Sequence, residues 1–118
     1  MIEVYGIKNC NTVKKALDYL KDNDISYNFH DYKKEPASIA KLEAWERLTP
    51  WEGLVNKKGT TWKKLSPEEQ ASVQDAETAN AVLLKNNSMI KRPVLEFADT
   101  IVVGFDEEIY NQKLKIKL

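Results

Sequence analysis

The sequence holds a single cysteine in 118 residues, one histidine, two arginines and no long apolar run. One cysteine cannot close a disulfide within the chain, so the fold needs no oxidising compartment and a cytoplasmic location is expected. No stretch approaches the ~18 apolar residues that a membrane helix needs. The opening Met1-Ile2-Glu3-Val4-Tyr5-Gly6 carries no basic leader, so an unexported protein with no membrane partner is expected. An excess charge of one sign is also missing. Eighteen basic residues balance eighteen acidic ones, which removes the global field that would draw the chain to nucleic acid or anionic lipid. No bound cofactor or metal is expected, and a monomer is the expected working unit.

What is present patterns into alternating elements. Ile2-Glu3-Val4-Tyr5 alternates apolar and polar and ends at Gly6, which predicts a strand followed by a loop through Cys10, with Asn9 and Asn11 as candidate caps. Val13, Ala16, Leu17 and Leu20 then fall at helical spacing up to Asp22-Asn23-Asp24. Alternation returns over Ile25–Tyr32. Strand, helix and strand at this spacing form a βαβ unit, whose crossover makes the strands parallel and places the Cys10 loop at the carboxyl end of the first. Open α/β sheets carry their sites at that end.

The middle of the chain predicts a helical layer. Pro36 opens a helix carrying Ile39, Leu42, Trp45 and Leu48, and Trp51–Val55 forms a short turn. Asn56–Lys64 reads as a polar, basic loop with one tryptophan. Ser66-Pro67-Glu68-Glu69 opens a helix whose pattern runs through Ala76, Ala79, Val82 and Leu83 to Asn86-Asn87. Val94–Phe97 and Ile101–Gly104 predict a hairpin, and a helix from Asp106 to about Lys113 follows. The fold class is therefore α/β, with one domain over 1–118 and a helical insertion over about 36–90.

Position gives Cys10 a claim to chemistry that a buried filler thiol lacks. The start of a helix presents unpaired N–H groups and a positive partial charge, and both favour a thiolate. Lowering a thiol pKa from ~8.5 to ~6.5 takes about 2.7 kcal/mol. A helix end supplies about 0.3–1 kcal/mol when exposed and about 2 when partly buried. A further donor or cation is needed, and the candidates are the Thr12 hydroxyl, the backbone N–H groups after Cys10, and Lys8, Lys14 or Arg92. Arg92 stands out because it precedes Pro93, which biases it to extended backbone. His30 lies in the second strand with no route to Cys10 and reads as structural.

Four segments carry a resemblance: Tyr5-Gly6-Ile7-Lys8-Asn9-Cys10-Asn11-Thr12, Phe29-His30-Asp31-Tyr32, Gly59-Thr60-Thr61-Trp62-Lys63-Lys64-Leu65 and Ile90-Lys91-Arg92-Pro93. Together they resemble the YffB-like branch of the ArsC/Spx family, related to glutaredoxin-coupled arsenate reductases. The resemblance implies a thioredoxin-like βαβ–ββα core with a helical insertion. It also implies Cys10 as nucleophile, Arg92 facing it and Pro93 as the cis proline beside a glutathione groove. The implied activity is glutathione-dependent thiol/disulfide exchange, with glutathione as co-substrate and glutathione or a glutaredoxin as partner. Lys8, Asn11, Thr12, Lys57, Lys58, Trp62 and Pro93 are the implied glutathione-binding residues. The chain departs from the arsenate reductases, which use three arginines: only Arg92 matches, the other two positions fall near Asn56 and Gly104, and Gly6 replaces a histidine. It departs from Spx-like regulators too, where Cys-x-x-Cys is common, since the run here is Cys10-Asn11-Thr12-Val13. A protein-binding module or transcription regulator that docks on RNA polymerase is the alternative reading, and arsenate reduction a weaker one. With no second cysteine, a mixed disulfide on Cys10 needs a thiol from outside the chain to release it.

Overall fold

A computed structural model describes residues 1–114, so residues 115–118 of the expected 1–118 domain lie outside it. The chain divides into two compact units, one of residues 1–34 with 92–114 and the other of residues 35–91. Among the described residues no helix is long and apolar enough to cross a membrane.

The first unit is a four-stranded sheet with two helices. Its strands are β1 (Ile2–Gly6), β2 (Tyr27–Asp31), β3 (Val94–Phe97) and β4 (Thr100–Val103), and its helices are α1 (Asn11–Asp22) and α6 (Glu107–Leu114). The strand order is β2-β1-β3-β4. β1 runs parallel to β2 and antiparallel to β3, and β3 pairs antiparallel with β4, which is the thioredoxin-like βαβ–ββα arrangement. Alternation decides which face is dry: Ile2, Val4 and Gly6 are buried on one side of β1. Ile2 and Val4 pack with Ala16 and Leu20 of α1, Leu95, Val102 and Tyr110 in one apolar cluster. β2 starts two residues later than the alternation from Ile25 predicts, because Ile25 N–H donates to Leu20 O (2.9 Å) and completes the turn out of α1.

The β1–α1 junction leaves no room for a side chain at residue 6. A Cβ on Gly6 would lie 2.9 Å from Cγ2 of Val13, a buried residue in the first turn of α1. The start of α1 therefore sits against the backbone at the end of β1.

The second unit is helical: α2 (Ile39–Glu46), a 3₁₀ turn (Trp51–Leu54), α3 (Thr60–Lys64), α4 (Pro67–Ser72), α5 (Ala76–Lys85) and a second 3₁₀ turn (Asn87–Met89). Leu42, Trp45, Leu54, Leu83, Met89 and Ile90 are buried in it. Three departures from the sequence pattern have local causes. α2 begins at Ile39 rather than at Pro36, because the Ser38 hydroxyl accepts the Lys41 N–H and fixes the start there. The polar run read as a loop over Asn56–Lys64 contains α3, opened by extended Gly59. The helix expected to run from Ser66 to Asn86 is two helices, because extended Val73 ends α4 and Asp75 with Thr78 forms a capping box that opens α5. A short antiparallel bridge, Val55 with Ile90, is flanked by Asn56 N–H to Met89 O (2.8 Å) and Lys91 N–H to Leu54 O (2.7 Å) and ties the last residues of this unit to its middle.

Gly6→Ala is expected to destabilise the protein by about 1–3 kcal/mol, since the added methyl overpacks against Val13. Urea unfolding followed by circular dichroism measures it. An unchanged midpoint would show that the start of α1 is free to shift.

Candidate functional site

Cys10 is itself the N-cap of α1, with extended backbone (φ −129°, ψ 121°), and neither Asn9 nor Asn11 takes that position. Its carbonyl accepts the Lys14 N–H (2.9 Å), the first bond of the helix. The sulfur therefore stands where the orphan N–H groups of the first turn converge, without closing a side-chain cap of the kind that serine or aspartate makes. Cys10 is half-buried, which alone pushes a thiol pKa up. Burial loses to the donors around it. The Val13 N–H, the Arg92 guanidinium by hydrogen bond and by charge, and the Thr12 N–H together hold the Cys10 thiol below the ordinary cysteine range.

Topology brings these groups together. β3 is antiparallel to β1, with Val94 opposite Tyr5, so the residues just before β3 lie at the carboxyl end of β1, where the Cys10 loop leaves. Arg92 occupies that place and is half-buried. The Arg92–Pro93 peptide bond is cis, Pro93 is buried, and the Pro93 carbonyl accepts the Gly104 N–H (2.8 Å). Cys10 and Arg92 are thus the two expected site residues that the fold sets against each other. Asn11 and Thr12 are exposed in the first turn of α1, and Lys8 is exposed in the preceding loop.

The remaining expected residues belong to the helical unit. Lys57 and Lys58 are exposed and Trp62 is half-buried in α3. The Lys57 ammonium lies 5.2 Å from the centre of the Trp62 ring, a cation–π contact. Asn56, near one of the two positions where the resemblance expects an arginine, accepts the Lys58 N–H through its side-chain oxygen (3.1 Å). Gly104, near the other, has a left-handed backbone (φ 86°) and its carbonyl accepts the Tyr110 hydroxyl (2.6 Å).

His30 is engaged away from the sulfur. Its Nε2 lies 3.0 Å from Glu3 Oε1, its ring stacks on Tyr5 with centroids 4.5 Å apart, and Asn28 donates to the other Glu3 oxygen (2.9 Å). The hydrogen bond from His30, then that from Asn28, hold the Glu3 carboxyl below its ordinary range. This network is a structural clasp across the parallel pair β1–β2.

A half-buried thiol at a helix start, a guanidinium beside it and a cis proline between that arginine and β3 form one constellation, and the sequence around it is matched by the model of the ArsC family over residues 5–113. The chain belongs to that family. It is similar to the solved structure of the YffB protein, at 38% identity and a TM-score of 0.90, with 95% of this chain and 97% of that one covered. An arsenate reductase (ArsC) related protein from Brucella melitensis is 42% identical with a TM-score of 0.74, covering 97% and 94%. The global transcriptional regulator Spx of Listeria monocytogenes is 22% identical over 92% of this chain and 82% of its own length. The ArsC-family, arsenate reductase-like fold thus spans nearly the whole chain.

Two features were not legible in the pattern. That Cys10 itself caps α1 was hidden because cysteine is not a capping residue by type. Burial of Tyr32 (4% exposed), one residue beyond β2, was hidden because alternation shows which residues share a face but not which face is covered.

The pH dependence of alkylation by iodoacetamide is expected to have its midpoint below that of a free cysteine. Arg92→Met should move it upward and reduce the thiolate at neutral pH by about three- to tenfold. A lowered folded-state pKa also adds stability that is full above the unfolded value, ~8.5, and lost as pH falls through the folded value. The stability difference between wild type and Cys10→Ser should accordingly grow in favour of wild type as pH rises through that window. A midpoint at the free-cysteine value would overturn this electrostatic reading.

Proposed function

We propose that the protein is a glutathione-dependent monothiol reductase in which Cys10 is the nucleophile. The observation that carries this reading is the convergence of the Val13 and Thr12 N–H groups and the Arg92 guanidinium on a sulfur that has no second cysteine to exchange with. In the first half-reaction the Cys10 thiolate attacks the glutathionyl sulfur of a mixed disulfide. The old S–S bond breaks, a new one forms between Cys10 and glutathione, and the released substrate thiolate takes a proton from water. In the second, glutathione attacks as a thiolate, leaves as oxidised glutathione and restores the Cys10 thiolate. Net, one free glutathione and the glutathionylated substrate become one molecule of oxidised glutathione and one free substrate thiol. Glutaredoxin is a second supplier of the resolving thiol.

Arg92 stabilises the thiolate before attack and again when it is the leaving group, and the exposed residues Lys8, Asn11 and Thr12 give the tripeptide polar partners beside the sulfur. Arsenate is the weaker substrate, because a single arginine provides one bidentate fork where an oxyanion is usually held by several. The Spx likeness favours a second reading, a module that binds a protein partner such as RNA polymerase and does no thiol chemistry.

Intact-mass measurement after incubation with oxidised glutathione separates the two. One glutathionyl group is expected on wild type and none on Cys10→Ser, with turnover of a glutathionylated peptide abolished in the variant. Absence of the adduct, with partner capture unchanged in Cys10→Ser, would replace the enzyme by the binding module.

A further inference from the structure

The exchange proposed above draws on Cys10, Arg92, Lys8, Asn11 and Thr12 and leaves the lysines of the helical unit without a task. Residues 53–65 hold four of them, Lys57, Lys58, Lys63 and Lys64, and no acidic residue. A fifth comes from far along the chain. Lys91 N–H donates to Leu54 O (2.7 Å), one step past the Val55–Ile90 bridge, so Lys91 lies beside a residue three positions before Lys57, a span of about 10 Å when extended. The Thr61 and Ser88 hydroxyls meet at 2.8 Å and tie α3 to the same neighbourhood. All five lysines are exposed, and among the described residues none of them is in an ion pair.

The backbone that carries this charge is tied down at several points. The Lys57 ammonium rests on the half-buried Trp62 ring, and the Asn56 side-chain oxygen accepts the Lys58 N–H. A Cβ on Gly59 would come within 2.8 Å of Asn56 Nδ2, so glycine lets the turn close against that side chain. Gln70 Nε2 donates to Trp62 O (2.9 Å) and fastens α3 to α4. Cations on a fixed support lose less freedom on binding than cations on a loose one. Acidic side chains bound the patch in the chain: Glu52 before it in the first 3₁₀ turn, Glu68 and Glu69 after it in α4. A long polyanion laid across the patch would meet these carboxylates, whereas a short acidic stretch fits between them. None of the five residues is an arginine, so the planar fork that grips phosphate bidentately is missing, and a chain of zero net charge has no global field to gather a polyphosphate.

We propose that the lysine patch around α3 is a docking surface for a short acidic segment of a partner protein. Carboxylates of that segment supply the counter-charges that the five lysines lack. No part of this uses the sulfur, so the surface stands or falls independently of the thiolate reading.

Fluorescence anisotropy on the full chain at low ionic strength tests it, with three labelled probes: a short Asp/Glu peptide, its Asn/Gln counterpart and a DNA strand of matching charge. The acidic peptide is expected to bind, more weakly as salt is added, and the amide peptide is not. Lys57→Gln, Lys58→Gln, Lys63→Gln and Lys64→Gln combined should weaken binding by about tenfold or more, at roughly two- to threefold for each lysine. Lys63→Gln with Lys91→Gln leaves the Lys57–Trp62 contact in place, should weaken binding by about fivefold, and covers the case in which the fourfold variant does not fold. Near-ultraviolet circular dichroism checks the fold of each. Cys10→Ser should bind as wild type does. Failure of the acidic peptide to bind, or an affinity unchanged in the lysine variants, overturns the proposal. A DNA strand held more tightly than the peptide by the same lysines overturns it in favour of a nucleic-acid surface.

Discussion

The pairing of β1 with unlike neighbours on its two sides is the constraint from which the site follows. A parallel partner requires a crossover, and the crossover is α1, whose first residue must then lie near the carboxyl end of β1. An antiparallel partner brings the opposite polarity, so the beginning of β3 arrives at that same end. Cys10 sits at the first of these places and Arg92 at the second. Both are set down by strand direction, which is fixed in turn by the apolar face that β1 buries with α1.

Electrostatics at this edge is a contest in which no single contribution suffices. Partial burial opposes the thiolate, and the helix end alone falls short of a large shift. The Val13 N–H and then the Arg92 guanidinium, by a directed hydrogen bond and by charge, tip the balance toward the thiolate. Gly6 serves the same end by absence, because the close approach of Val13 to the strand lets the helix begin immediately beside the loop. A glycine at position 6 is thus explained by packing.

Much of this was legible in the sequence, and the reason is physical. β1, α1, β3 and β4 show clean periods of two or of three to four, and their order specifies the topology with few alternatives. The middle of the chain was read less well because its helices are short and two of their starts are set by single capping side chains, Ser38 and Asp75, rather than by long apolar repeats, whereas the Ser66 opening was legible. α3 sits in a lysine-rich run with no buried residue, so it carries no periodic signal. Asn80 is buried at 4% exposure and donates to Glu46 Oε1 (3.0 Å), a long-range pairing that local pattern does not encode. At the site, the thiol and the arginine were visible by type and position.

The lone sulfur at the start of α1 has a kinetic meaning. A dithiol relative can close on itself, so that one half of its cycle runs at a rate set by its own geometry. This chain has no such intramolecular step for its sulfur, and each exchange at Cys10 is an encounter with a separate molecule. In the monothiol exchange proposed above, throughput is first order in the concentration of whatever thiol surrounds it, which would make the chain a follower of that pool rather than a store of oxidising equivalents.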